Sequence, residues 1–137
     1  MNSPLLDTHV WVWWMEGDAR LDRRTRDALD ALPAADRPLL AAISLWEIAM
    51  LVSHRRIGFR GMSLDEWLEI AAHPRSVRLV PVTAEIAAET ASLPPSVPGD
   101  PADRLIVASC RVLGVPLVTR DQRIRRARVV PLWKADA

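Results

Sequence analysis

Short, mostly apolar segments recur along this chain and alternate with longer segments of helical periodicity. The apolar segments cover residues 4–7, 39–43, 77–82, 116–119 and 129–133. A strand that is apolar on both faces is typical of a parallel sheet with helices packed on both sides. The alternation therefore predicts an α/β fold with a central parallel sheet of about five strands.

The segments between these strands carry helix start and stop signals. Ser63 and Glu66 fit a capping box, Asp100 followed by Pro101 opens another helix, and Gly114 ends it. The predicted helices cover residues 22–32, 44–55, 63–72, 83–91, 100–114 and a short basic stretch after 121. Residues 10–16 have an ambiguous period, and Thr8 is a candidate cap for them. Without repeats or linkers, residues 1–137 are interpreted as one domain.

Composition narrows the class of protein. Half of the residues are apolar, and the net charge is +1, so the chain lacks the global basic field of a bulk nucleic-acid binder. Nucleic-acid binding is not excluded, because the negative charges of an acidic site would offset the positive charges of a basic rim in the net charge. The one cysteine, Cys110, excludes an internal disulfide and is expected to be buried. Neither a secretory signal nor a membrane-length apolar run is visible, which favours a cytoplasmic protein.

Acidic residues interrupt the apolar segments at matching places. Asp7 ends the first strand, Glu47 lies one turn into the helix after the second, and Asp121 follows the fourth by two residues. Asp100 and Asp103 stand at the start of the helix before the fourth strand. Ligands bind beyond the carboxyl ends of strands in open parallel sheets. These acids are therefore expected to converge at one sheet edge, if the helix that starts near Asp103 points the same way.

Most of these acids also have a structural explanation. Ser44 and Glu47 fit a capping box, which would account for Glu47 without any ligand. Asp100 and Asp121 are good N-caps, and Asp103 lies in a first turn that the helix dipole favours. Taken one at a time, each of them is compatible with a purely structural role.

Asp7 is harder to explain structurally, because an aspartate that ends a buried apolar strand has few structural uses. Three or four carboxylates at one edge would repel each other unless a cation neutralised them. Hard oxygen ligands suit Mg²⁺ or Mn²⁺. His9 is a poor ligand for these ions and is expected to orient a neighbour or face the core. His54 and His73, at helix ends, are expected to have no chemical role.

Four segments in order resemble the signature blocks of PIN domains, in the spacing of the bacterial VapC toxin branch. They are LLDTHVW (5–11), SLWEIA (44–49), DPADRLIVA (100–108) and LVTRD (117–121). The resemblance covers the chain from Leu5 to its end. It implies a PIN-like three-layer α/β/α sandwich.

The resemblance also implies an acidic catalytic site that hydrolyses RNA with one or two Mg²⁺ or Mn²⁺ ions. The implied quartet is Asp7, Glu47, Asp103 and Asp121. Three of them, Asp7, Asp103 and Asp121, are expected to bind metal, and Glu47 either joins them or orients water. The hydroxyl residues expected to line the site are Thr8, Ser44 and Thr119. Asp100 matches an acid of the third block but is not expected to be a ligand.

A toxin of this type implies three kinds of partner: RNA, a VapB-like antitoxin and a second copy of the chain. The expected RNA contacts are arginines around the cleft, namely Arg104, Arg120 and Arg123, with Arg125, Arg126 and Arg128 in the same basic segment. Such Arg-rich faces are also often merely solvated. Of the six tryptophans, Trp11, Trp14 and Trp46 are the candidates for a groove that holds the antitoxin, although core packing explains tryptophans equally well.

Three rival functions fit the sequence less well. An aspartyl phosphatase would need a second acid two residues after Asp7, where His9 stands. A receiver domain would need an aspartate at the end of the third strand and a later lysine, but that strand ends at Val82 and the only lysine is Lys134. The third rival is a degenerate PIN domain that binds protein or RNA without cutting, and the intact acidic quartet counts against it.

Overall fold

The computed structural model describes residues 3–135 as four strands and seven α-helices. Their order is β1 (Leu5–Leu6), α1 (Thr8–Glu16), α2 (Arg23–Asp30), β2 (Leu39–Ala41), α3 (Ile43–Ser53), α4 (Leu64–Ala71), β3 (Arg78–Val80), α5 (Ala84–Ala91), α6 (Pro101–Leu113), β4 (Leu117–Val118) and α7 (Gln122–Ala127). A short 3₁₀ helix, Ala34–Asp36, precedes β2. The predicted alternation of strands and helices is confirmed.

The strands form one parallel sheet in the order β3-β2-β1-β4. The predicted fifth strand over 129–133 is wrong. Within the described residues this segment contributes one isolated parallel bridge, between Leu117 and Leu132. Its backbone bonds run from Leu117 N to Pro131 O and from Trp133 N to Leu117 O. Pro131 has no N–H to donate, so the segment follows β4 without extending a regular ladder.

Alternating side chains divide the core between the two faces of the sheet. Leu5, Leu39 and Leu117 pack into one cluster, with buried residues of α5 and α6. Their neighbours Leu6, Leu40 and Val118 pack into the other, with residues of α1, α2 and α4. Successive strand side chains point to opposite faces, so an apolar pair such as Leu5–Leu6 serves both cores. The predicted three-layer α/β/α sandwich is confirmed.

Most predicted helix ends are confirmed. Ser63 and Glu66 form both halves of the capping box on α4, Asp100 caps α6, and Gly114 ends it in the left-handed region at φ 66°. The ambiguous tryptophan-rich segment is a helix, α1, which Asp7 rather than the predicted Thr8 caps. Cys110 is buried, as expected. Among the described helices, none combines the length and the apolar character needed to cross a lipid bilayer.

Candidate active site

The carboxyl ends of β1 and β4 open into a cleft between α1, α3, α6 and α7. All four acids of the predicted quartet line it. The complete lining is Asp7, His9, Trp13, Glu47, Asp100, Asp103, Arg120, Asp121 and Arg123. The expectation that the start of α6 points toward the same sheet edge is therefore confirmed, because both of its acids face this cleft.

Asp7 is the most buried acid of the cleft, with 6% of its surface exposed. Its Oδ1 accepts a hydrogen bond from the Thr8 backbone N–H at 2.8 Å, and its Oδ2 accepts one from the Thr119 hydroxyl at 2.6 Å. Burial raises the pKa of the Asp7 carboxyl more than these two donors lower it. The side chain is thus fixed in position, but its negative charge is poorly compensated when the carboxyl group is ionised.

Two hydroxyls connect α1 to α3 beside Asp7. The buried Thr8 hydroxyl donates to Glu47 Oε1 at 2.5 Å and lies 2.8 Å from Ser44 Oγ. Since the single proton of Thr8 goes to Glu47, the Ser44 hydroxyl must donate to Thr8. Burial raises the pKa of Glu47, and the nearby Asp7 raises it further. This chain of hydroxyls holds Glu47 over the cleft.

The position at which α3 begins rules out the capping-box explanation of Glu47. Helix α3 begins at Ile43, its N-cap is Ala42, and no side chain caps it. Ser44 lies inside the first turn, so the capping box predicted for Ser44 and Glu47 is wrong. Its hydroxyl serves a tertiary contact with Thr8 instead.

Asp103 lies in the first turn of α6, just after the Asp100 cap, whose Oδ1 accepts from the backbone N–H groups of Ala102 and Asp103. Burial raises the pKa of Asp103 to about 7, and the charges of the surrounding acids, Asp7 first, add to the effect. The first turn is a favourable place for an acid. The raised pKa shows that crowding by like charges and loss of solvent outweigh that benefit.

The negative charge of Asp121 is better compensated than that of Asp103. It caps α7 by accepting from Arg123 N at 2.8 Å, and the Arg123 guanidinium lies 3.1 Å from Asp121 Oδ2 and 3.9 Å from Asp103 Oδ2. Burial opposes ionisation of Asp121, but the hydrogen bonds and charge of Arg123 bring its pKa below the ordinary value. The Thr119 hydroxyl accepts from Asp121 N at 3.1 Å, so one threonine links Asp7 to Asp121.

Only some of the predicted RNA-binding arginines line the cleft. Arg120 and Arg123 line the cleft, and Arg120 is anchored on the start of α2 by Asp22 and by the Thr25 hydroxyl. Arg104 is not among the lining residues, because its guanidinium donates to Thr90 O at 2.9 Å, at the end of α5. Other arginines of the basic segment lie along a separate groove that contains Arg125, Arg126, Arg128, Val130 and Leu132.

The tryptophans also differ in position. Trp11 is fully buried and donates to Ala71 O, so it is a core residue and the expectation that it lines a groove is wrong. Trp14 is half-buried, and its indole N–H donates to Asp30, with which it lines a different cavity. Trp46 is 54% exposed and follows Leu45 next to Glu47 in the sequence, but it does not line the cleft. Trp13 lines the cleft although it was not predicted to be a site residue. Its signal was the spacing of four residues from His9, which puts both on one helix face.

The donor set suits a hard divalent cation. It offers carboxylate oxygens from several acids, and three of the four predicted members, Asp7, Glu47 and Asp103, have raised pKa values that an added positive charge would relieve. Across residues 3–135, no three acidic, histidine or cysteine side chains are already spaced to enclose an ion. Magnesium keeps several of its waters in proteins, so it needs only one or two direct carboxylates. The residues therefore fit Mg²⁺ or Mn²⁺.

Several solved structures share this fold, among them a toxin–antitoxin complex from Klebsiella pneumoniae with a TM-score of 0.58 at 18% identity and 88% of each chain covered. FitAcB from Neisseria gonorrhoeae has a TM-score of 0.71 at 24% identity, with 96% of each chain covered. VapBC2 from Rickettsia felis, bound to a DNA fragment from its promoter, has a TM-score of 0.69 at 18% identity, covering 93% of this chain and 95% of the other. At these identities the likeness establishes the fold.

The sequence comparisons establish the family. Residues 5–130 match the PIN domain family model. Ribonuclease VapC22 of Mycobacterium tuberculosis (strain ATCC 25618 / H37Rv) is 41% identical over 137 residues, which cover 97% of this chain and 100% of the relative. With the four acids gathered beyond the ends of β1 and β4, these matches show that the chain belongs to the PIN-domain family, in its VapC branch.

Proposed function

We propose that this protein is a metal-dependent endoribonuclease that acts as the toxin of a toxin–antitoxin pair. The observation that carries the proposal is the convergence of Asp7, Glu47, Asp103 and Asp121 in one cleft. Structural needs alone would not place Asp7, Glu47 and Asp121 where their charges raise the pKa of Asp103. The name of the 41% identical relative, a ribonuclease, supports the reaction type.

The residues of the cleft have distinct tasks in this reaction. Asp7, Asp103 and Asp121 would hold Mg²⁺ or Mn²⁺, which supplies water activation near neutral pH and offsets charge on the phosphate. Thr119 keeps Asp7 and Asp121 in register, since its hydroxyl bonds the side chain of one and the backbone of the other. Glu47 is held by Thr8 where it can accept a hydrogen bond from the attacking water.

Positive charge for the RNA backbone comes from two arginines with different mobility. Arg120 is anchored by Asp22 and Thr25 and forms a fixed wall of the cleft. Arg123 has 65% of its side chain exposed and pairs with Asp121 and Asp103, so it can move toward a phosphate when a cation replaces it at the acids. Arg104 is not part of this proposal, because its guanidinium is used at Thr90.

The proposed partner is a VapB-like antitoxin, and the protein is proposed to work in the cytoplasm as a homodimer that joins a larger assembly with it. A complex from Klebsiella pneumoniae that shares this fold contains a toxin and an antitoxin together. Exposed Trp46, next to Glu47 in the sequence, and half-buried Trp14 are the proposed apolar anchors. An arginine of the antitoxin could occupy the acidic cleft as a bidentate substitute for the metal.

The activity is tested by incubating the purified chain with RNA and Mg²⁺ or Mn²⁺. We expect cleavage that stops with EDTA and returns when metal is restored. A chain that binds RNA but never cuts it, with either metal, would instead be the degenerate PIN domain.

The partner is tested by co-expressing the product of any short reading frame that adjoins the gene. Inhibition that weakens at high Mg²⁺ is the expected sign of a competing arginine. Inhibition that ignores Mg²⁺ would indicate occlusion alone.

A further inference from the structure

Two aromatic side chains line the carboxylate cleft and have no part in the chemistry described above. His9 and Trp13 lie four residues apart on α1, so they share one face of that helix. Their ring centroids are 6.0 Å apart at an interplanar angle of 49°. His9 is exposed and Trp13 is half-buried, so the pair presents ring surface to the cleft.

Trp13 is held in place by the core, because its indole packs against the buried residues between the sheet and helices α1, α2 and α4. The Arg20 guanidinium lies over one face of the ring, 5.2 Å from the centroid, and pairs with Asp18 at 2.7 Å. Because 68% of the Arg20 side chain is exposed, a base can displace this guanidinium from the ring. A ring fixed in this way loses little conformational freedom when a ligand packs on it.

The position of the scissile phosphate limits where the neighbouring base can go. The phosphate must lie at the carboxylates, and the next base is joined to it through a single sugar. That base therefore lies within reach of the wall of the same cleft. Most of the wall is charged, and His9 and Trp13 are its two aromatic members.

Proteins bind unpaired bases by stacking them on aromatic side chains, because every base has a π-face. We propose that His9 and Trp13 form a stacking platform for one unpaired base next to the scissile phosphate. This inference rests on the proposed ribonuclease function. Duplex RNA is a poor fit, because a base inside a helix has no free face to offer.

The platform is tested with single-stranded RNA oligonucleotides that carry one abasic residue, moved stepwise across the cleavage site. For the wild-type protein, one abasic position beside the cut should lower kcat/KM roughly 5- to 100-fold, while distant positions have little effect. In Trp13→Leu the intact oligonucleotide should lose a similar factor, and the abasic residue should cause almost no further loss. This non-additivity is the sign of a direct contact.

Three controls separate the platform from folding and from the ribonuclease proposal. Trp13→Phe should keep most of the effect, and His9→Ala, at an exposed position, should weaken binding without unfolding. Trp133→Leu makes the same exchange at another half-buried tryptophan of the same core, outside the cleft, and should leave the abasic profile as in wild type. Binding of the intact and abasic oligonucleotides to Asp7→Asn reports stacking without any cleavage.

The outcomes distinguish the two proposals. If intact RNA is not cut but the Asp7→Asn chain still prefers the intact oligonucleotide, the ribonuclease proposal fails and the platform stands. If RNA is cut and the abasic penalty in Trp13→Leu equals that of wild type, the platform is overturned. A Trp13→Leu variant that loses affinity only for a protein partner, with RNA kinetics unchanged, would also overturn it.

Discussion

The two walls of the carboxylate cleft are built in different ways. On one wall, β1, α1 and α3 hold Asp7 and Glu47 through hydrogen bonds of the Thr8 backbone N–H and of the Thr8 and Ser44 hydroxyls, with contacts of 2.5 to 2.8 Å. On the other, α6 and α7 bring Asp103 and Asp121 together around Arg123, whose longer contact with Asp103 is 3.9 Å. The first wall is preorganised by hydrogen bonds, whereas the second is held by charge.

This difference assigns different tasks to the walls. A carboxylate that is fixed by hydroxyls keeps its place whether or not a cation is present. A carboxylate whose counter-charge is a mobile arginine can exchange that arginine for a metal ion. We therefore expect changes on the hydrogen-bonded wall to impair activity most, and changes on the charged wall to alter the stability of the metal-free protein.

The largest effect is expected for Asp7→Asn. The exchange keeps the shape of the side chain but removes the buried negative charge, so RNA cleavage should fall by about 100-fold or more. The melting temperature without metal should be unchanged or higher, because repulsion among the acids is reduced. Cleavage assays with Mn²⁺ and thermal unfolding with EDTA check both parts.

The matched control is Asp100→Asn, which makes the same change in the same cleft. Asp100 acts as the N-cap of α6, and asparagine caps as well as aspartate. Its activity should therefore stay near that of wild type. Equal losses for Asp7→Asn and Asp100→Asn would mean that total charge, rather than the fixed position of Asp7, matters.

The next largest effect is expected for Glu47→Gln. The amide can still accept the hydrogen bond from Thr8, so the wall should stay assembled and the melting temperature near native. Loss of the charge should reduce cleavage about 10- to 100-fold. Single-turnover kinetics and thermal unfolding together provide the measurement. Normal turnover would indicate that Glu47 has only a structural role.

On the charged wall, Asp103→Asn should stabilise the metal-free protein. Because the folded-state pKa of Asp103, about 7, exceeds its ordinary value of 3.8, ionisation of Asp103 opposes folding. The free energy of unfolding should therefore fall as the pH rises between these values. The variant should gain on the order of 2 kcal/mol at about pH 8 and much less at about pH 4, after discounting for solvent screening.

Thermal unfolding in EDTA at the two pH values tests this expectation. Asp65→Asn is the control, since Asp65 also lies in the first turn of a helix, α4, but away from the cleft. It should lose up to about 1 kcal/mol of stability through the helix dipole. Asp103→Asn that is no more stable than wild type at the higher pH would show that Arg123 already compensates Asp103.

The sequence predicted the sheet and the convergence of acids because both follow from local patterns. An apolar pair such as Leu5–Leu6 can only be buried on both faces, and Asp7 and Asp121 follow strands whose direction the alternation fixes. The predicted strand over 129–133 failed because an apolar run does not reveal whether a partner ladder continues past Pro131.

The side-chain contacts of the site could not be predicted in the same way. Ser44 and Glu47 fit a capping box in spacing, yet the N-cap of α3 is Ala42, two residues earlier, which frees Ser44 for Thr8, 36 residues away in the chain. Likewise, Arg104 stands next to Asp103 in sequence but donates to Thr90. Sequence adjacency does not determine on which side of a helix a long side chain finds its partner.

The smallest effect is expected for Ser44→Ala, and its cause distinguishes a cap from a tertiary contact. As a lost N-cap, the change would weaken α3 alone. In the structure it removes a donor to the buried Thr8 hydroxyl, at a cost of about 1 kcal/mol, and leaves the bond from Thr8 to Glu47 in place. Cleavage should therefore fall only a few-fold.

In a double-mutant cycle, Ser44→Ala should cost no further free energy of unfolding once Thr8→Val has removed the shared hydroxyl. Full additivity of the two losses in the free energy of unfolding would show that Ser44 contributes independently of Thr8, and the hydroxyl chain of this wall would then not act as a unit.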